Sequence, residues 1–138
     1  MKKLMFALFI LLFVFACDNT PVPDPIPFKI VNKLIDLNNL RYQRLKFDGG
    51  FAYEDGGVRG LIIYRRNATS YLAFERNCPF RPMDACAHLK VDDSGFFMKD
   101  SCCNSVFDFE GSPISGPAFS PVLRYRVSLT GSLLSITN

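Results

Sequence analysis

A single histidine, His88, is the only imidazole in 138 residues. That scarcity excludes H-E-x-x-H, and G-x-S-x-G is also missing, so no catalytic residue is expected and the chain does not read as an enzyme. Charge of one sign is equally scarce. Of 16 Lys and Arg, two (Lys2 and Lys3) fall in a leader, which leaves 14 against 13 Asp and Glu. Such a balance offers no basic face to nucleic acid. Long charged runs are absent while Phe is abundant, so disorder is excluded beyond a short tether. No segment sustains a helical apolar period, no internal repeat is visible, and the Gly-Gly pairs precede no helix that would cradle a phosphate.

Only one long apolar run exists. Leu4–Ala16 spans thirteen residues behind Lys2 and Lys3. A membrane-crossing helix needs about 20 residues, whereas this length suits the core of a secretory signal. The run closes on Val14-Phe15-Ala16-Cys17, which resembles the lipobox of bacterial lipoproteins, with Phe15 an atypical residue there. Residues 1–17 are therefore expected to be a lipoprotein signal ending at a lipidated Cys17. Acyl chains contribute about 0.8 kcal/mol per buried CH₂, so such an anchor is effectively permanent. The expected location is the bacterial cell envelope, with the domain facing periplasm or cell surface. The membrane is then one partner, and an envelope protein is a candidate for another. Residues 18–30 form a tether: Pro21, Pro23, Pro25 and Pro27 remove amide donors and fix φ. Polyproline II, at about 3.1 Å per residue, lets its first ten residues reach roughly 30 Å.

Residues 31–138 read as one β domain. The expected strands are Phe28–Asp36 (starting within the tether), Phe51–Tyr53, Gly60–Arg65, Tyr71–Glu75, Phe96–Lys99, Val106–Phe109, Val122–Leu129 and Leu133–Thr137. Leu61-Ile62-Ile63-Tyr64 has no polar alternation and predicts a strand buried on both faces. Asn67-Ala68-Thr69 is the turn of a hairpin, and Asp92-Asp93-Ser94-Gly95 reads as a turn rather than a calcium site. Short strands with Gly and Pro turns indicate a small sandwich or barrel.

Four cysteines follow Cys17: Cys78, Cys86, Cys102 and Cys103. Export would place them where disulfides form. Four cysteines allow three pairings, and the sequence does not choose among them. The C-x₇-C-x₁₅-C-C spacing is poor for a four-thiolate zinc or iron site.

Two stretches resemble the Rieske iron–sulfur domain family. Ser105-Val106-Phe107-Asp108 is followed by Gly111, by Gly116-Pro117-Ala118 and by Pro121-Val122-Leu123-Arg124-Tyr125. Upstream, Ala73-Phe74-Glu75-Arg76-Asn77-Cys78-Pro79 is similar to the entry into that family's first cluster loop. The resemblance implies an all-β, Rieske-like small antiparallel β-sandwich with an inserted cysteine-bearing loop subdomain, about residues 78–118. It also implies four cluster positions. A Rieske [2Fe–2S] centre takes Cys-x-His and Cys-x-x-His. Here those positions fall on Cys78, Phe80, Asp100 and Cys103, so one of four usual ligands is in place. The alternative frame Cys86-Ala87-His88 supplies a Cys-x-His and gives the metal set Cys78, Cys86, His88 and Cys103, yet a second imidazole does not exist.

Some Rieske domains join their two loops by a disulfide, and this implies Cys86–Cys102. A second bridge, Cys78–Cys103, is then expected in the space of the lost cluster, each bridge contributing about 3 kcal/mol. The favoured reading is an envelope lipoprotein module without cofactor or metal, serving structure or binding. The other is a [2Fe–2S] electron-transfer protein with atypical ligands.

Overall fold

The computed structural model describes residues 24–138. The expected signal and Cys17 lie outside the described residues. Among the described residues, ten strands form two antiparallel sheets. The larger contains β1 (Asn32–Asp36), β2 (Phe51–Glu54), β3 (Leu61–Asn67), β4 (Ser70–Glu75), β9 (Arg124–Thr130) and β10 (Leu133–Thr137), in the order β1-β10-β9-β4-β3-β2. The smaller is a meander of β5 (Leu89–Val91), β6 (Met98–Asp100), β7 (Val106–Phe107) and β8 (Pro113–Ser115). It is inserted between β4 and β9, which themselves pair in the larger sheet through Ala73–Tyr125 and Phe74–Arg124.

The apolar run of β3 explains why two cores exist. Side chains alternate across a strand. Leu61 and Ile63 enter one core with Ile35, Leu45, Ala73, Tyr125, Leu134 and Ile136. Ile62 enters the other with Phe74, Cys78, Leu89, Met98, Phe107 and Val122. The first fills the larger sheet. The second joins the sheets, and all three residues of the β3 triplet are inaccessible to solvent. Full burial of an aliphatic side chain stabilises by about 1.5–3 kcal/mol, so this triplet is a main source of cohesion for both.

Polar and aromatic contacts fix the small sheet on the large one. Tyr53 accepts the Val91 N–H at 3.0 Å, and the Arg76 guanidinium lies over the Tyr53 ring at 4.1 Å. Tyr64 stacks on Phe109 with ring centres 4.0 Å apart.

Several expected boundaries move. The first strand starts at Asn32, not Phe28, beyond the proline run. Leu40–Lys46 forms a 3-10 helix whose start is capped by Asn39 accepting the Arg41 N–H, and it buries Tyr42 and Leu45. Helix had not been expected there. Phe96 is exposed in the Asp92–Gly95 hairpin region, and the strand begins at Met98 instead. Leu89–Val91 and Pro113–Ser115 are strands that the sequence did not announce. The hairpin turning at Asn67–Thr69 is as expected, and β9 and β10 form another about Gly131.

Candidate functional site

The site is held by two loops of the insertion, one before β5 and one between β6 and β7, and the first is set by a buried acid. Glu75, at the end of β4, is fully buried. Its Oε1 accepts the N–H of Arg59 (2.9 Å) and of Asn77 (3.0 Å), and its Oε2 accepts the N–H of Val58 (2.7 Å) and the Tyr125 hydroxyl (2.7 Å). Burial, then the Glu75 carboxylate, pushes the Tyr125 hydroxyl above its ordinary pKa. Gly57 is required beside this acid: its φ is +57°, and a Cβ there would lie 2.1 Å from Glu75 Oε2.

Arg59 carries the order outward. Its guanidinium donates to Asn77 Oδ1 (2.7 Å), Ala85 O (2.8 Å) and Asp84 O (2.6 Å). One side chain thereby ties the loop before β3 to the 78–87 loop. A planar fork of donors suits several carbonyls at once. Cys78 begins that loop, buried, its N–H bonded to Ala87 O at 3.3 Å. Cys86 lies near its end and is joined to Cys102 of the second loop with S–S 2.03 Å. The bridge implied by the resemblance is present.

The second loop is a tight turn after β6. Asp100 Oδ1 accepts the Cys102 N–H at 2.6 Å, Asp100 O accepts the Asn104 N–H at 2.9 Å, and Asn104 adopts φ +60°. Asn tolerates that left-handed conformation better than most residues. Ser105 follows, buried, its Oγ accepting the Ala118 N–H at 3.1 Å and lying 3.0 Å from Cys103 Sγ. Gly116 packs on it: a Cβ at Gly116 would sit 2.6 Å from Ser105 Cα. The Gly116-Pro117-Ala118 motif thus serves a close backbone approach behind Cys103.

These loops bring together three of the four cluster positions named from the sequence. One ligand atom each from Cys78, Asp100 and Cys103 lies within 4.8 Å of the others. Cys78 and Asp100 are buried and Cys103 is half-buried. Burial first, and the Asp100 carboxyl beside it second, push the Cys78 thiol above its ordinary range. Phe80 is partly buried against the core between the sheets, together with Cys103.

Two expectations are corrected. Cys78 and Cys103 are free thiols, sulfurs 3.9 Å apart, rather than a second disulfide. Bridges in two directions from adjacent cysteines need an extended Cys102–Cys103 segment that sends its side chains to opposite faces. The residues occupy a turn instead, where Cys103 is held against Ser105. The alternative metal set of Cys78, Cys86, His88 and Cys103 is also corrected. Cys86 is consumed by its bridge, and His88 stands outside the cluster, facing Asn77 across an isolated bridge.

A Rieske [2Fe–2S] centre places two thiolates on one iron and two imidazoles on the other. The chain has one imidazole, which is not here, and Phe80 and Cys103 stand at the two His positions. The residues present do not fit that group.

The inserted meander, the facing cysteine loops and the bridge between them are what the resemblance implied. The fold is all-β, with a second antiparallel sheet inserted between two strands of the first. No family model and no curated protein matches the chain. Among solved structures, it is similar to the ferredoxin of carbazole 1,9a-dioxygenase from Nocardioides aromaticivorans IC177, with 16% identity over 81% of this chain and 97% of that one, at a TM-score of 0.47.

Glu75 and Arg59, the supports of the first loop, belong to no local motif. The only signal was a Glu ending an otherwise apolar strand.

Proposed function

We propose that the protein is a lipid-anchored module of the bacterial cell envelope, bound to the membrane through Cys17, in which a Rieske-like fold serves structure or binding without an iron–sulfur cluster. It carries out no catalysis in this reading. The observation that carries it is the ligand count. One of the two irons of a Rieske centre needs two imidazoles, and this chain has Phe80 and Cys103 where they belong. Fold likeness alone does not transfer electron transport. The leader and the proline tether support the envelope location. A domain on such a tether presents its loops some distance from the lipid surface, where a soluble or membrane-bound envelope partner has access.

The second reading, an electron carrier with atypical ligands, draws on one observation: Cys78, Asp100 and Cys103 converge. It requires a fourth ligand to complete two iron centres.

Purified full-length protein in detergent tests the choice. The expected result is a colourless preparation without acid-labile sulfide. Stoichiometric iron and sulfide with visible absorption would establish the second reading instead. Acyl-chain labelling that disappears in Cys17→Ala is the expected outcome for the anchor.

A further inference from the structure

We propose that Cys78, Asp100 and Cys103 form a mononuclear site for a thiophilic divalent cation of the zinc class. The inference rests on the cluster-free reading above and adds a ligand to it.

Three observations converge. The first is the donor set. Two sulfurs and one carboxylate oxygen lie within 4.8 Å of one another, the two sulfurs 3.9 Å apart. A tetrahedral zinc with Zn–S bonds of about 2.3 Å has an S–S edge of about 3.8 Å. The spacing thus matches the edge of one ion's coordination shell.

The second is an unpaired acceptor. Asp100 is fully buried, and its Oδ1 is occupied by the Cys102 N–H, while Oδ2 has no hydrogen-bond partner among the described residues. A buried polar atom without a partner costs about 1–3 kcal/mol. Here that atom belongs to the same side chain that completes the triangle with the sulfurs. A cation bound between the three groups gives the oxygen its missing partner.

The third is the support around the site. The Cys86–Cys102 bridge joins the loops that carry Cys78 and Cys103. Ser105 Oγ, itself pinned by the Ala118 N–H, lies 3.0 Å from Cys103 Sγ. In the free protein the thiol donates to that oxygen. Once Cys103 is a thiolate, the hydroxyl proton turns to donate to the sulfur, an outer-shell bond that steadies a metal ligand.

Binding is written as one M²⁺ entering, two thiol protons leaving to solvent, and two metal–sulfur bonds and one metal–oxygen bond forming. No electron moves. Three protein ligands leave a fourth position for water or for a donor from a partner, and half-buried Cys103 puts it on the solvent side.

The test uses the full-length protein in detergent, with Cys86–Cys102 intact and the other thiols reduced, dialysed against Zn²⁺. One zinc per chain is expected. Co²⁺ in its place should give thiolate-to-metal charge-transfer absorption. Outer-shell changes weaken metal sites about 10–100-fold; loss of a direct ligand in Cys103→Ser is expected to cost at least the upper end of that range, and Asp100→Asn at least the lower. Asp92→Asn, on the distant hairpin, should bind as the parent does. Asp100→Asn alters only the unpaired oxygen, so it keeps the proposal testable if the cysteine variant misfolds.

Three results overturn the proposal: no zinc uptake, uptake undiminished in both site variants, or Cys78 and Cys103 found disulfide-bonded in protein isolated from membranes. A colourless protein that takes no zinc sinks this inference alone. Iron with acid-labile sulfide sinks the cluster-free reading as well.

Discussion

Two buried acids flank the cysteine-bearing loops, and their surroundings differ. Glu75, on the large sheet, has four donors shared between its two oxygens. Asp100, at the end of β6 in the small sheet, has one oxygen bonded and the other empty. A buried acid with every lone pair engaged acts as a structural clamp: it orders the 57–59 loop and, through Arg59, the first cysteine loop. A buried acid with a vacant oxygen next to two thiols has unused bonding capacity. The large sheet thus builds the platform, and the small one exposes the chemistry.

The largest expected effect comes from breaking the clamp. Glu75→Gln replaces an acceptor-only group with one that must donate from one end, so it opposes two of the four donors. Each buried donor left without an acceptor costs about 1–3 kcal/mol. Urea unfolding should show that loss. Asp100→Asn is the matched comparison. Asn keeps the oxygen that accepts the Cys102 N–H, so without metal its cost should stay below about 1 kcal/mol. Equal losses at the two positions would erase the distinction between clamp and site.

Next in size is the bridge. Cys86 and Cys102 are 16 residues apart. A closed loop of that length contributes about 3 kcal/mol in the chain-entropy model. A Cys86→Ser/Cys102→Ser double variant is therefore expected to lose about that much in the same unfolding measurement. The bridge belongs to the small sheet's loops, so the larger sheet should retain its protected amides under native hydrogen exchange. Uniform loss of protection throughout the chain would show that the two sheets are one cooperative unit rather than platform and insert.

The difference between the two sheets also governs what the sequence made readable. Strands of the platform carry five to seven residues in most cases, with turn residues between them, and β3, β4, β9 and β10 were all expected near their true places. The insert is built from strands of two or three residues. Leu89–Val91 and Pro113–Ser115 are too short for any period to register. The Leu40–Lys46 helix is a 3-10 segment of seven residues, also too short for a helical stripe. Within the site, the bridge was legible only through the family resemblance. Asp100 appeared in sequence as a lost ligand. Its burial and its convergence on the two thiols depend on the turn at Ser101–Asn104, where long-range contacts with Gly116 and Ala118 decide the geometry. The Glu75–Arg59 support depends on chain separations of 16 to 26 residues, which local pattern does not encode.

The smallest effect concerns His88, which sits between the two regions. Its Nε2 is buried with no partner among the described residues, and it faces Asn77 at the start of the first loop. Burial first, then the positive charges of Arg76, Arg59 and Lys90, hold its imidazole below the ordinary value of about 6.5. The unfolded chain then takes up a proton at this residue at a higher pH than the folded one does. Above about pH 6.5 neither state is protonated here and His88 contributes no pH dependence. Below that value the unfolded state binds more protons, so stability falls as pH falls, down to the lower pKa of the folded state. His88→Gln removes this titration while leaving the carboxylates that also respond to acid. Urea unfolding at pH 7.5 and pH 5.5 should therefore show a larger drop for the parent than for the variant. Identical drops would mean that the imidazole charges as easily in the folded protein as in the unfolded chain, and that water reaches the seam between platform and insert.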